Sequence, residues 1–194
     1  MSGTGYPGLE VTKEDARTGM NDLPWVVGLG PQLVYKLDDS THFNLAVFQA
    51  TSTDFKMTKF NGAIFQGKLH YQWQAIESLF TGHLFLIVKG GSKDFLSIYY
   101  DVSAAHAVPN RSEYEAKAGY LSDEITYLIS YQSGRAKFYT GASYINYANS
   151  VNRSSPLHKS DANINYLFAI TYVLSESERD AVLEDDTKGI IRKR

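Results

Sequence analysis

The stretch AIFQGKLHYQW, residues 63–73, decides the fold class of this 194-residue chain. Apolar side chains stand at positions 63, 65, 69, 71 and 73, while most of the even positions between them are polar. Alternation with a period of two is the pattern of a β-strand that has one apolar and one polar face. The stretch therefore predicts a strand, and one longer than the roughly five or six residues usual in globular proteins.

The same alternation occurs in six further segments of the chain. Together with 63–73 they give seven predicted strands, at 25–37, 43–48, 63–73, 80–88, 121–132, 136–147 and 162–174. The 14 Tyr and 10 Phe residues also favour strands, because aromatic side chains pack well on a pleated surface. The sequence therefore predicts an all-β protein.

The connections between these strands alternate in length. Short connections fall at 38–41, 74–78 and 133–135, and long ones at 51–59, 90–118 and 148–161. Outer-membrane barrels have this arrangement, with tight periplasmic turns and long external loops. A soluble barrel has the same period with its large residues inside, so alternation alone leaves both classes open. The tyrosines near the ends of the predicted strands resemble the aromatic girdles that such barrels have at the membrane–water interfaces; they are Tyr35, Tyr71, Tyr131 and Tyr172. They favour an antiparallel transmembrane β-barrel of the outer-membrane type.

Seven strands do not close such a barrel, because bacterial single-chain barrels have an even number of strands. We therefore expect an incomplete barrel with an open or imperfectly closed sheet, and further strands and a signal peptide before Met1 in the natural protein. The alternative is an eighth strand at 95–102, where apolar residues also alternate. The predicted division is an external loop or N-terminal extension (1–24), the barrel portion (25–174) and a charged periplasmic tail (175–194).

Composition excludes several classes of protein. The formal net charge is -2 and the basic residues are scattered, so nucleic acid is not an expected partner. The chain has no cysteine, which excludes disulfides, thiolate metal sites and a cysteine nucleophile. The longest apolar runs are far shorter than the roughly 18 residues of a membrane-spanning helix.

No motif predicts catalysis or a bound cofactor. The five histidines, at 42, 70, 83, 106 and 158, show no metal-ligand spacing, although His70 and His83 lie on the polar faces of neighbouring predicted strands. No G-x-S-x-G pattern is present. The stretch KGGSK at 89–93 lacks the second half of a P-loop and precedes no predicted helix. We expect no enzyme activity, no cofactor and no metal.

Polar side chains of the predicted strands are expected to face the barrel lumen. They are Gln66, Lys68, His70, Gln72, Glu124 and Lys137. A hydrated or hydrogen-bonded interior is a plainer interpretation of this set than a selectivity site.

Three segments resemble the MipA/OmpV family of outer-membrane proteins. They are YYDVSAAHA at 99–107 with Pro109 and Tyr114 after it, ARTGMNDL at 16–23 followed by LGP at 29–31, and SPL at 155–157. The first defines a family-motif loop, whose matching residues are Tyr99, Tyr100, Val102, Ser103, Ala105, Pro109 and Tyr114. The chain departs from the family pattern at Asp101, which replaces the usual Gly, and at Leu174, which replaces a final Phe or Trp.

The resemblance implies a non-catalytic outer-membrane β-barrel in contact with outer-membrane lipid. The member that gives the family its name is a scaffold joining a membrane-bound lytic transglycosylase to a bifunctional peptidoglycan synthase, so the same role is a hypothesis here. A passive channel for small solutes is the alternative, and a soluble lipocalin-like binder is a third class. Planar-bilayer conductance, pull-down of murein enzymes and a requirement for detergent distinguish the three.

Overall fold

The computed structural model of the chain describes residues 2–6, 15–53, 58–75 and 79–174. Its strands are β1 (Ser2–Tyr6), β2 (Trp25–Gly30), β3 (Gln32–Lys36), β4 (Thr41–Thr53), β5 (Thr58–Ala75), β6 (Phe80–Gly91), β7 (Gly119–Ser133), β8 (Ala136–Asn146) and β9 (Ala162–Tyr172). The described strands form one antiparallel sheet in the order β1-β2-β4-β5-β6-β7-β8-β9, with β3 also paired to β4. The sheet curls into a half-barrel.

The predicted strand at 25–37 is divided in two by Pro31. β2 pairs with the C-terminal half of β4, and β3 pairs with its N-terminal half. Proline has no backbone N–H and cannot donate to the ladder, but the Pro31 carbonyl still accepts a hydrogen bond from the Val47 N–H at 3.3 Å. The two strands therefore occupy one position in the sheet, and nine strands fill eight positions.

β4 and β5 are longer than the sequence predicted. The long connection expected at 51–59 is wrong, because β4 continues to Thr53 and β5 begins at Thr58, leaving only residues 54–57 outside the described part. The two strands stay paired through a register shift between Gln49 and Thr51. An irregular bulge of this kind lets a long strand bend with the curling sheet.

The apolar face of the sheet is the exposed face. Phe65 and Phe168 are 48% and 74% exposed, whereas the polar Thr126 and Ser130 on the opposite face are 6% and 1% exposed. A closed soluble barrel buries its large apolar side chains and shows the reverse pattern. The arrangement confirms the predicted fold class, a barrel of the outer-membrane type with its apolar side chains outward.

The segment after β6 forms a helix, α1 (Lys93–Tyr100), and not an eighth strand. Ser92 is its N-cap, with an extended backbone and a side chain that accepts a hydrogen bond from the Phe95 N–H. Both the alternative strand at 95–102 and the expectation that KGGSK precedes no helix are therefore wrong. The apolar alternation of 95–102 also fits a short helix with one buried face, because helix and strand are hard to distinguish over so few residues.

A small hydrophobic core lies between α1 and the polar face of the sheet. Its buried members are Val26, Ala46, Phe48, Ala50, Ile64, Phe95, Leu96, Ala116 and Leu121. Ile64 is the apolar exception among the even-numbered polar positions of 63–73, and it is completely buried in the same cluster as Phe95 and Leu96 of α1. Truncating a buried Phe such as Phe95 to Ala costs about 3–5 kcal/mol, so this contact fixes the helix to the sheet.

Within the described residues the half-barrel is open. β9 pairs with β8 on one side, and no ladder joins it to β2 or β3. The expected open sheet is therefore confirmed. β1 adds a short strand beside β2 within the segment 1–24, while the division of the chain into three regions stays a prediction. None of the described helices is long and apolar enough to cross a membrane.

Candidate functional site at the loop end of the sheet

Three segments pack together at one end of the sheet, and we call them the loop cap: 15–24, 92–118 and 147–161. The Arg17 guanidinium donates to the Tyr99 carbonyl at 3.0 Å, which ties the first segment to the second. The Ser155 hydroxyl donates to the Tyr100 carbonyl at 2.8 Å, which ties the third to the second. The three segments that carry the family resemblance are therefore joined in space.

The helix α1 is attached to the sheet through Ser92. Its hydroxyl accepts from the Ala63 N–H of β5 at 2.9 Å as well as from the Phe95 N–H of the helix at 3.4 Å. Gly62, the residue before Ala63, has a φ of 77°, and a Cβ at that position would collide with the Ser92 hydroxyl. A glycine is therefore needed where the sheet meets the cap.

The family-motif loop turns back on itself after α1. Val102 is buried and forms an antiparallel bridge with Tyr114, with N–H to O distances of 2.9 and 3.0 Å. Between them, Ser103 begins a 3-10 turn and its hydroxyl lies 3.0 Å from His106 Nδ1. Ala105 is exposed on this turn, and Pro109 is exposed on the next one, between Val108 and Arg111.

Asp101, which replaces the family's usual Gly, has a structural role. Its backbone is extended, with a φ of -69° and a ψ of 138°, so the position does not require glycine. Its carboxylate accepts a hydrogen bond from the Ala116 N–H at 2.6 Å. The substitution therefore adds a connection between the two arms of the motif loop.

Two buried residues that no sequence pattern indicates hold the cap together. Asn152 is completely buried: its Oδ1 accepts from the Lys117 N–H at 2.8 Å and from the Tyr114 hydroxyl at 3.2 Å, and its Nδ2 donates to the Lys117 carbonyl at 2.9 Å. Arg111 donates to the carbonyls of His106, Ala16 and Thr18. Both residues satisfy backbone groups that secondary structure leaves unpaired.

Two adjoining cavities open in the loop cap, near a further one that Asp22 and Asp101 help to line. One, of about 430 Å³, is lined by residues that include Thr18, Val108 and Arg111. The second, of about 380 Å³, has several aromatic walls: Phe95, Tyr99, Tyr100 and Tyr147. Ala16 and Lys159 line both cavities, so the two adjoin. Burial raises the pKa of Tyr100 to about 12, so its hydroxyl stays protonated well above neutral pH.

The polar face of the sheet carries a second group of interacting side chains. Glu124 accepts from the Thr126 and Ser143 hydroxyls, each at 2.7 Å, and from Lys89 Nζ at 3.0 Å. Both members of the Lys89–Glu124 ion pair are largely buried, so its charges are screened less than those of a surface pair. The partners of the Glu124 carboxylate all belong to strands of the sheet. We therefore assign this group of side chains a structural role.

The remaining predicted lumen residues lie on the same polar face but do not converge on one point. Gln66 pairs in register with Lys89, Lys68 Nζ lies 5.9 Å from the Phe85 ring centre, and the Gln72 side chain donates to the Asp39 carbonyl at 3.4 Å. Lys137 Nζ lies 5.3 Å from the Tyr139 ring centre. Whether these residues line a water-filled lumen stays a prediction.

Three of the five histidines form a row across β4, β5 and β6. The His42 and His70 ring centres are 6.0 Å apart, and His70 Nε2 lies 3.2 Å from His83 Nδ1. His83 also contacts the Ser130 hydroxyl at 3.2 Å. Sequence spacing alone did not reveal this row, because cross-strand register creates it. Among the described residues, no group of three or more His, Cys, Asp or Glu is arranged to hold a metal ion.

The fold and the cap define the chain as an antiparallel barrel of the outer-membrane type with a structured loop cap at one end. The family model described as MltA-interacting protein MipA matches residues 3–174. The chain belongs to this family, as its motif segments led us to expect. A comparison with curated proteins gave no match, and a comparison with solved structures gave none either.

Proposed function

We propose that this chain is a non-catalytic outer-membrane barrel protein that serves as an adaptor for peptidoglycan-remodelling enzymes. The observation that carries the proposal is the match to the MltA-interacting protein family over residues 3–174. The name of that family describes binding to MltA, a lytic transglycosylase. The second proposed partner, a bifunctional peptidoglycan synthase, is the one that the family resemblance implies.

The exposed apolar face supports a location in the outer membrane. Large apolar side chains are exposed on strands from β2 to β9, including Leu33, Val47, Leu86, Ile125 and Ile170. A soluble monomer rarely exposes a continuous apolar surface of this extent, because water contact with it is unfavourable. Contact with lipid in place of water removes that cost.

The loop cap supports an adaptor role because it presents fixed surfaces. Its segments are bound to one another through Arg111 and Asn152 and to the sheet through Ser92. A docking surface held by buried hydrogen bonds loses little conformational entropy when a partner binds.

Co-purification tests the adaptor role. The full chain in detergent, immobilised, is expected to retain a lytic transglycosylase of the MltA type and a bifunctional peptidoglycan synthase together, while an unrelated outer-membrane barrel retains neither. Failure to retain the transglycosylase would contradict the proposal. Membrane location is tested separately, by fractionation of outer membranes and by the need for detergent to keep the chain dispersed.

The polar face of the sheet favours a second candidate, a passive channel for small solutes. Gln66, Lys68 and Gln72 lie along this face and would contact water in a closed barrel. Steady conductance of the protein in planar bilayers, without retention of either murein enzyme, would favour the channel over the adaptor.

A further inference from the structure

The cavity beside Arg111 has a positively charged wall. Arg111 is 7% exposed, and its four hydrogen bonds all go to backbone carbonyls, those of His106, Ala16 and Thr18. Carbonyl groups satisfy the N–H donors of a guanidinium but do not neutralise its charge. A guanidinium has five N–H donors, so one remains for another acceptor.

Lys159 supplies a second positive charge on the same cavity. Its side chain is exposed, and within the described part of the chain it forms no ion pair. It also lines the adjoining aromatic cavity, to which His158 and Arg17 contribute. Among the described residues that line the two cavities there is no Asp or Glu. The Asp161 carboxylate lies 3.1 Å from His158 Nε2, so the excess of positive charge is concentrated at the cavity lined by Arg111 and Lys159, whose electrostatic potential favours an anion.

The adjoining cavity favours a ligand with a ring. Tyr99, Tyr100 and Tyr147 combine flat apolar faces with hydroxyl groups, and Phe95 adds a further apolar wall. Such walls suit a ring that has both C–H faces and hydroxyl groups. Each cavity lies within the roughly 300–1,000 Å³ range typical of small-molecule sites.

We propose that the loop cap binds an anionic sugar, whose phosphate or carboxylate lies between Arg111 and Lys159 and whose ring packs against the tyrosines of the adjoining cavity. Arg111 provides a fixed donor, because carbonyls from two segments of the cap hold its guanidinium in place. Lys159 adds a second positive charge from another segment of the cap. The site does not depend on the adaptor role, which requires no small ligand.

Titration calorimetry on the full chain in detergent tests the proposal with three matched probes: N-acetylglucosamine, N-acetylglucosamine 6-phosphate and N-acetylmuramic acid. The first is uncharged, and the other two add a phosphate or a carboxylate to the same ring. Saturable binding of a charged probe, at least about tenfold tighter than that of the uncharged one, supports the site, and the tighter of the two charged probes identifies the anion. Equal binding of all three, or no saturable binding, overturns it.

Two lysine variants distinguish binding at the proposed site from nonspecific electrostatic attraction of the anion to the protein. Lys159→Gln is expected to weaken binding of the charged probe by about tenfold, which corresponds to about 1.4 kcal/mol. Lys117→Gln removes an equal charge from an exposed lysine of the loop cap that lines neither cavity, and is expected to change binding less than twofold. Equal weakening by both variants would overturn the proposal.

A third variant tests whether the guanidinium of Arg111 binds the anion, while keeping the positive charge at that position. Arg111→Lys is expected to weaken binding of the charged probe at least tenfold, because a lysine cannot reproduce the fixed planar fork. A melting temperature and circular-dichroism spectrum close to those of the wild type establish that the cap remains folded. Unchanged affinity in this folded variant would remove Arg111 from the site and overturn the proposal.

Discussion

The hydroxyl of Ser92 lies 2.9 Å from the backbone nitrogen of Ala63 and accepts its hydrogen bond. The same oxygen caps the helix α1 through the Phe95 N–H. One side chain therefore joins the start of α1 to β5, the longest of the described strands. This connection, together with the burial of Phe95 and Leu96, holds α1 against the sheet.

Ser92→Ala is expected to destabilise the protein by about 1–2 kcal/mol, because it removes a helix cap and leaves the Ala63 N–H without its acceptor. Urea unfolding in detergent measures the change. Ser112→Ala, at an exposed position of the same cap, is the matched control and is expected to stay within about 0.5 kcal/mol. Equal effects of the two substitutions would show that Ser92 does not stabilise the connection between α1 and β5.

Asn152→Ala is expected to loosen the loop cap, because three hydrogen-bonding groups around this buried amide lose their partner. Each unsatisfied buried group costs about 1–3 kcal/mol. Hydrogen exchange should show faster exchange at the Lys117 amide while the amides of β5 to β8 stay protected. Asn110→Ala, at an exposed position of the cap, should leave the Lys117 amide unchanged, and slow exchange in both variants would contradict the assignment.

A pair of arginine substitutions on β5 tests which face contacts lipid. Phe65→Arg puts a charge on the exposed apolar face and is expected to cost about 2–4 kcal/mol if that face lies at the bilayer centre. Gln66→Arg puts the same charge on the opposite face and should cost much less. Folding into lipid vesicles, followed by the shift in gel mobility of unheated samples, measures both. A larger loss for Gln66→Arg would reverse the assignment of the faces.

The stability of the loop cap should fall at high pH because of Tyr100. Burial raises the pKa of Tyr100 to about 12, while in the unfolded chain the group titrates near 10. Below pH 10 both states keep the proton. Between pH 10 and 12 the unfolded chain releases it first, so the folded state loses stability as the pH rises, by an amount on the order of 2 kcal/mol.

Tyr100→Phe is expected to remove this part of the pH dependence. The measurement is the difference in unfolding free energy between pH 9 and pH 12 for the two proteins. Tyr166→Phe, at an exposed tyrosine of β9, serves as control and should keep the wild-type slope. The same slope in all three proteins would show that Tyr100 ionises as readily in the folded chain as in the unfolded chain.

The fold class could be predicted from the sequence because it depends on local periodicity. The alternation in 63–73 determined both the strand β5 and which of its faces is apolar, since successive side chains of a strand point to opposite sides. Pro31 and Ser92 are local signals of the same kind. Pro31 marks the break between β2 and β3, and Ser92 marks the start of α1, although the apolar pattern predicted no helix there.

The loop cap could not be predicted, because long-range contacts create it. Arg17 and Tyr99 are 82 positions apart, and Arg111 and Ala16 are 95 apart, so no spacing in the sequence relates them. No sequence pattern distinguishes Asn152 from other loop asparagines, and only its burial and its hydrogen bonds to Lys117 show its role.

The histidine row belongs to the same category. His42 and His70 are neighbours because β4 and β5 pair in one register, and a shift of a single residue would put them on opposite faces. The sequence by itself determined which elements form and which sides are apolar, through interactions between near neighbours. Only the tertiary structure decided which loops meet and which charges share a cavity, because these depend on where the curling sheet brings distant segments together.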